Sequence, residues 1–239
     1  MSNLVIFDID GTLINSTEVD AVCYLGSLKR FGINEIEARW QNYTTATDRG
    51  IFEEIFEDRF MRKPTAEELE RQREGFLLLL KEHFAREPEA FLEIPGARRI
   101  LAELRRRDDW RIGIATGGWR ETALFKLSAA GININGIPLV SSSEKKKRDD
   151  IVRTCIERAR EHYGVTAFEA IVSVGDAIWD VQVARKLDIG FIGIGGLISA
   201  ELSGAPVFRD FLEEDRFIQS LYRAPVPPSP SSDMRPEPS

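Results

Sequence analysis

Cysteine and histidine are scarce in this chain, which has two of each among its 239 residues. Cys23 and Cys155 are far apart in sequence, so their spacing fits neither a disulfide framework nor a zinc site, and we expect two buried, reduced thiols. His83 and His162 both lie in helical patterns, away from the acidic motifs. The scarcity of nitrogen and sulfur ligands near those motifs disfavours zinc.

Long apolar runs are also missing. The first run, residues 4–7, has the length of a strand and is interrupted by Asp8, without the basic leader of a signal peptide. The run at 76–80 is far too short to cross a membrane. We therefore expect a cytoplasmic protein with no membrane partner. The formal net charge of −7 repels phosphate backbones, which makes nucleic acid an unexpected partner as well.

Apolar runs of strand length alternate with helical patterns over most of the chain. The run at 4–7 is followed by turn chemistry at Asp10-Gly11. Further strands are predicted at 110–115, 137–140, 170–174 and 189–194, with helices between them. This alternation predicts an α/β fold, in which a doubly wound, Rossmann-like parallel sheet is covered on both faces.

The segment between the first two predicted strands is different, because it reads as helical almost throughout. Thr47 is expected to begin one helix, and Thr65 with Glu68 forms the capping box of a longer one. We predict an all-helical cap domain at 16–88, inserted into a core domain made of 1–15 and 89–223. Residues 224–239 are rich in proline and serine, which predicts a disordered tail.

Acidic and small polar residues follow several of the predicted strands. Asp8 and Asp10 follow the first, Thr116 follows the strand at 110–115, and Asp176 follows the strand at 170–174. In an open parallel sheet, the carboxyl ends of the strands form the edge that binds ligands. Carboxylates gathered at such an edge need a cation, and an all-oxygen ligand set suits Mg²⁺.

Three motifs in this order resemble those of the haloacid dehalogenase superfamily: DIDGTL at 8–13, TGG at 116–118 and GDAIWD at 175–180. The resemblance implies that Asp8 is the nucleophile and takes the phosphoryl group, while Asp10 is the general acid and base. It further implies that Thr116 donates a hydrogen bond to the phosphoryl group. Asp8, Asp10 through its backbone carbonyl, Asp176 and Asp180 would hold Mg²⁺.

The basic residue that this family places beside the nucleophile has two candidates in the run 145–148. One spacing of the family pattern selects Lys146, and a variant spacing selects Arg148, and the sequence leaves both open. Gly117 and Gly118 are expected to let the backbone approach the substrate. Arg49 could clamp a second anion of the substrate, although an exposed arginine at a helix start is the commoner case.

The resemblance implies a Mg²⁺-dependent phosphatase of a small phosphorylated metabolite, in a group like the phosphoglycolate phosphatases. Asp10 separates this pattern from that of the dehalogenases, which lack the acid. A sugar phosphomutase shares the fold and the phosphorylated aspartate, so it remains the alternative. A non-catalytic regulatory protein is a weaker alternative, because both Asp8 and Asp10 are present.

Overall fold

The apolar strand residues are buried on both sides of a parallel sheet, as a doubly wound fold requires. The computed structural model describes residues 2–34, 36, 39–196 and 198–229. The strands are β1 (Asn3–Phe7), β2 (Trp110–Ala115), β3 (Leu139–Val140), β4 (Ile171–Gly175), β5 (Gly190–Ile194) and β6 (Val207–Phe208). The helices are α1 (Thr17–Lys29), α2 (Asp48–Phe60), α3 (Ala66–Arg86), α4 (Ala97–Arg106), α5 (Arg120–Ala129), α6 (Arg148–Tyr163), α7 (Ile178–Leu187), α8 (Ala200–Ser203) and α9 (Glu214–Leu221).

The sheet has the order β3-β2-β1-β4-β5-β6, and every neighbouring pair is parallel. β1 lies near the centre, between β2 and β4, which aligns the ends of these three strands. Val5 and Phe7 pack into a cluster with α4, α5 and α9, whereas Leu4 and Ile6 pack into a second cluster with α6 and α7. The predicted α/β fold with a doubly wound parallel sheet is confirmed.

Helices α1 to α3 form an insertion between β1 and β2, and its apolar residues pack into a cluster that also includes Phe91 and Trp119 of the core. Its buried members include Phe52, Phe56 and Phe76. The predicted capping box is present: Glu68 N donates to Thr65 Oγ1 and Thr65 N donates to Glu68 Oε2. Two isolated β-bridges lie just outside the ends of the insertion, one between Asp10 and Ile14 and one between Ile14 and Glu93.

The chain after 223 differs in part from the prediction of a disordered tail. In the described residues 224–229, Pro225 O accepts a hydrogen bond of 3.0 Å from Phe191 N of β5, and Pro227 is buried. A proline lacks an N–H, but its carbonyl still accepts, so an extended proline-rich segment can lie along β5. The prediction is therefore wrong for these residues, and 230–239 lie outside the described part of the chain.

Candidate active site

The predicted site residues that follow β1, β2 and β4 meet at one edge of the sheet. Asp8 N donates to Val174 O at 3.0 Å, which fixes the end of β1 against the end of β4. Thr116 N donates to Val140 O at 3.0 Å, which fixes the end of β2 against β3. The parallel register thus gathers side chains that are far apart in sequence.

Asp8, Asp176 and Asp180 form a buried acidic group at this edge. One carboxylate oxygen of each lies within 4.8 Å of those of the other two. Burial is the largest cause that raises the pKa of Asp8 to about 7 and that of Asp176 to about 8, and it also raises the pKa of Asp180. Such a group is costly without a cation. A dense, all-oxygen set of this kind fits Mg²⁺.

Gly11 is the residue that lets Asp176 approach the first motif. It has a φ of +75°, and a Cβ there would lie 2.1 Å from Asp176 Oδ2. Both the conformation and the space therefore require glycine. Asp180 is held from the other side, because Ala177 N donates to its Oδ2 at 3.1 Å.

The Asp10 carboxylate points away from the acidic group and is held by two other side chains. Ser16 Oγ donates to Asp10 Oδ1 at 2.5 Å, and Lys126 Nζ donates to Asp10 Oδ2 at 2.6 Å. Lys126 also forms a short ion pair with Asp20 of α1. The Asp10 side chain thus has partners of its own, which are separate from the three carboxylates that could hold a metal.

Lys126 of α5 is fully buried, with a side-chain exposure of 0%. Burial lowers its pKa, but the carboxylates of Asp10, Asp20 and Asp48 raise it more, so the net shift is upward and the ammonium stays charged. Burial also raises the pKa of Asp20 to about 6. A charge this deeply buried is tolerated because oxygens surround it.

Arg148 is the member of the basic run 145–148 that reaches Asp8. Its Nη1 lies 3.1 Å from Asp180 Oδ1 and 3.7 Å from Asp8 Oδ2. Its Nε donates to Ala46 O at 2.6 Å, and its guanidinium lies 5.0 Å from the centre of the Trp179 ring. Burial lowers the pKa of Arg148, but the carboxylates of Asp8 and Asp180 raise it more, so the net shift of the pKa is upward.

Lys146 and Arg49, in contrast, lie outside the acidic group and bind a carboxylate on the surface. Lys146 Nζ is 2.8 Å from Glu53 Oε2, and Arg49 Nε is 2.8 Å from Glu53 Oε1. Their side chains are 44% and 35% exposed. Thr47 Oγ1 donates to Lys146 O at 2.7 Å, so both the backbone and the ammonium of Lys146 contact the insertion. The structure thus brings neither of these predicted residues to Asp8.

Thr116, Gly117 and Gly118 form a tight turn beside Arg148. Gly118 N donates to Thr116 Oγ1 at 3.1 Å, which leaves the hydroxyl hydrogen of Thr116 free to point elsewhere. A Cβ at Gly117 would lie 2.6 Å from Arg148 Nη2 and 2.8 Å from Ala46 O. Glycine at 117 therefore makes room for the arginine, besides bringing the backbone close to the site.

A cavity of about 110 Å³ lies between this edge and the insertion. Asp8, Asp10, Arg148 and Asp176 line its floor, together with the turn at 116–118. Thr17, Asp20, Ala21, Tyr24, Trp40, Ala46, Thr47, Asp48, Ile51 and Trp179 line the rest. The insertion thus supplies much of the wall of the cavity.

Four residues at or beside the cavity were not predicted from the sequence, namely Ser16, Asp20, Asp48 and Lys126. Lys126 had a usable signal, since it lies four residues after Thr122 and three after Ala123 on the buried face of α5. Asp48 looked like an ordinary first-turn acid, but its Oδ2 accepts a hydrogen bond of 2.9 Å from Trp119 N in the core domain. No sequence pattern near Asp48 predicts this long-range contact with Trp119.

The chain belongs to the haloacid dehalogenase-like hydrolase family, whose model matches residues 5–194. A hydrolase from Pseudomonas syringae has a similar structure, with 24% identity, a TM-score of 0.68 and coverage of 92% of this chain and 98% of that one. CbbY from Rhodobacter sphaeroides, in complex with phosphate, is 18% identical with a TM-score of 0.64, covering 89% and 96% of the two chains. No match is found among curated proteins.

A protein from Bacteroides vulgatus, described as a candidate beta-phosphoglucomutase, is 17% identical to this chain with a TM-score of 0.65, covering 93% and 89%. At these identities the structural matches establish the fold, whereas the family model establishes the family. Within the described residues, no helix is both long and apolar enough to span a membrane.

Proposed function

We propose that this protein is a Mg²⁺-dependent phosphatase, which hydrolyses a small phosphorylated metabolite through a phosphorylated aspartate at Asp8. The observation that carries the proposal is the grouping of Asp8, Asp10 and Arg148 on the floor of one cavity. Asp8 shares a buried acidic group with Asp176 and Asp180, whereas Asp10 is held separately by Ser16 and Lys126. Nucleophile and acid are therefore distinct carboxylates in distinct environments.

In the first step, a carboxylate oxygen of Asp8 bonds to phosphorus and the ester P–O bond breaks. The leaving oxygen takes its proton from the Asp10 carboxyl. In the second step, water attacks phosphorus, the bond to Asp8 breaks, and Asp10 takes the proton of the water. Ser16 and Lys126 hold Asp10 in place for both transfers.

Arg148 would hold the phosphoryl oxygens in a fork, and the Thr116 hydroxyl would donate to another. Asp8, Asp176, Asp180 and the Asp10 backbone carbonyl would hold Mg²⁺. When bound, the metal neutralises the acidic group and the charge on the transferring phosphoryl. Lys146 and Arg49 have no role in this scheme, because both bind Glu53.

The insertion, residues 16–88, would act as a cap domain. It lines the cavity with Asp20, Tyr24 and Asp48, and Ala46 O accepts from Arg148 Nε. A closed cap keeps bulk water away from the phosphoryl group until the second step.

The test is the release of inorganic phosphate from a panel of phosphate esters, with Mg²⁺ and with a chelator. We expect release with Mg²⁺ only, and its loss in Asp8→Asn. Asp58→Asn is the matched control, because Asp58 is exposed on α2 and loses the same charge. An isomerised sugar phosphate without phosphate release would identify a mutase instead. No consumption of any ester would contradict the proposal.

A further inference from the structure

The wall of the cavity beyond Asp10 is acidic. Asp20 and Asp48 both line it, and both come from the insertion. Burial, together with the other carboxylates, raises the pKa of Asp48 well above its usual value and that of Asp20 to about 6. The two carboxyl groups present oxygen atoms to the cavity and neither supplies a positive charge, so an anionic group of a ligand would find no favourable partner in them.

The neighbouring cations already have partners. Lys126 is fully buried behind the wall, between Asp10 and Asp20. Arg148 is the only basic residue among the described residues that line the cavity, and it lies on the floor beside Asp8 and Asp180. A second phosphate or a carboxylate on the substrate would thus find carboxylates at the wall and no described cation to bind it.

The remaining wall is aromatic and apolar. Tyr24 and Trp40 contact each other edge to face, with ring centres 5.7 Å apart, and Ala21 and Ile51 lie beside them. Such rings pack against a carbon skeleton, and their faces also favour a cation over an anion. The aromatic residues and the carboxylates therefore select for the same kind of leaving group.

We infer that the substrate is a phosphate monoester whose leaving group has no negative charge and offers hydroxyl or amine donors to Asp20 and Asp48. This inference rests on the proposed phosphatase function. It excludes phosphorylated carboxylic acids and bisphosphates as preferred substrates.

The test compares three esters that differ at one group: phosphoglycolate, hydroxyethyl phosphate and phosphoethanolamine. We expect kcat/KM for the neutral and the cationic ester to exceed that for phosphoglycolate by about tenfold or more, which corresponds to about 1.4 kcal/mol. Phosphoglycolate hydrolysed as well as the other two would overturn the inference and leave the phosphatase function standing. Hydrolysis of none of a wider panel would overturn both.

Asp48→Asn tests whether the acidic residues of the wall cause the preference for neutral and cationic esters over phosphoglycolate. Asparagine keeps an oxygen for the hydrogen bond from Trp119 N, so the fold should hold. We expect the preference over phosphoglycolate to shrink by about threefold or more, whereas Asp58→Asn on the same helix leaves it unchanged. Asp20→Asn provides an independent second variant. A preference that persists in both variants would show that the acidic wall does not set it.

Discussion

Replacement of Lys126 is the sharpest test of the buried ion pairs beside the cavity. Its ammonium is fully buried and contacts Asp10 and Asp20, whose side chains are each 21% exposed. Lys126→Met keeps most of the side-chain volume but leaves two carboxylates without their cation. Removing one partner of a buried ion pair costs about 3–5 kcal/mol of stability. Because the two aspartates are partly exposed, we expect a cost near the lower end of this range.

We therefore expect Lys126→Met to lower the free energy of unfolding by about 3 kcal/mol, or the melting temperature by roughly 6–12 °C in a chain of this size. The assay is urea and thermal unfolding without metal. Lys186→Met is the matched control, since Lys186 forms a single ion pair of 2.5 Å with Asp149 and is 62% exposed. Its loss should cost less than about 1 kcal/mol.

Asp20→Asn provides the internal check. In the double variant with Lys126→Met, one of the two stranded carboxylates is gone, so the combined loss should be smaller than the sum of the single losses. Additive losses, or a Lys126→Met variant as stable as the Lys186→Met control, would refute the assignment of Lys126 as the buried counter-ion.

Three further predictions follow from the same geometry. Burial raises the pKa of Asp8 to about 7 and that of Asp176 to about 8, from an ordinary value of 3.8, so the contribution of these two carboxyl groups to metal-free stability should be complete below about pH 4 and be lost as the pH rises to 8. Thermal unfolding should show this loss and its reversal by Mg²⁺ at pH 8; a flat profile would contradict it. Arg148→Lys should lower kcat/KM for phosphate release by about 100-fold, whereas Lys146→Gln should change it by less than about twofold. Equal effects of the two variants would show that Arg148 is not the basic residue that acts beside Asp8. Gly117→Ala should lower kcat by about 100-fold, because its Cβ displaces Arg148, and unchanged turnover would exclude that contact.

The fold and the acidic edge could be predicted because their signals are local. Each strand is a short apolar run, and Asp8, Thr116 and Asp176 follow their strands directly. Once the strands are parallel, their ends must share an edge, so the meeting of these residues follows from the chain order. The same logic predicted the helical insertion, whose capping box at Thr65 is a four-residue signal.

The choice between Lys146 and Arg148 could not be made in this way. The residues 145–148 are all basic, and their directions depend on where α6 begins and on contacts with the insertion. Thr47 anchors Lys146 O, and Glu53 takes its ammonium, which leaves Arg148 to face Asp8. These partners lie about a hundred residues away, beyond any local pattern.

The acidic wall formed by Asp20 and Asp48 could not be predicted from the sequence for the same reason. Asp20 and Asp48 are unremarkable acids near helix starts, and only packing of the insertion over the core brings them to the cavity with Asp10. For this reason, the substrate class that we infer from the cavity differs from the one that the motifs suggest. A group like the phosphoglycolate phosphatases fits the motifs, whereas the wall disfavours a carboxylate on the leaving group.

The most direct test of the central claim is the detection of the phosphoryl group on Asp8. Protein mixed briefly with a hydrolysed ester and Mg²⁺ would be quenched in acid, digested and analysed by mass spectrometry. We expect one added phosphoryl group on the peptide that contains Asp8, labile to hydroxylamine and absent from Asp8→Asn. Phosphate release by the wild type with the phosphoryl group on another residue, or with release retained in Asp8→Asn, would contradict the account.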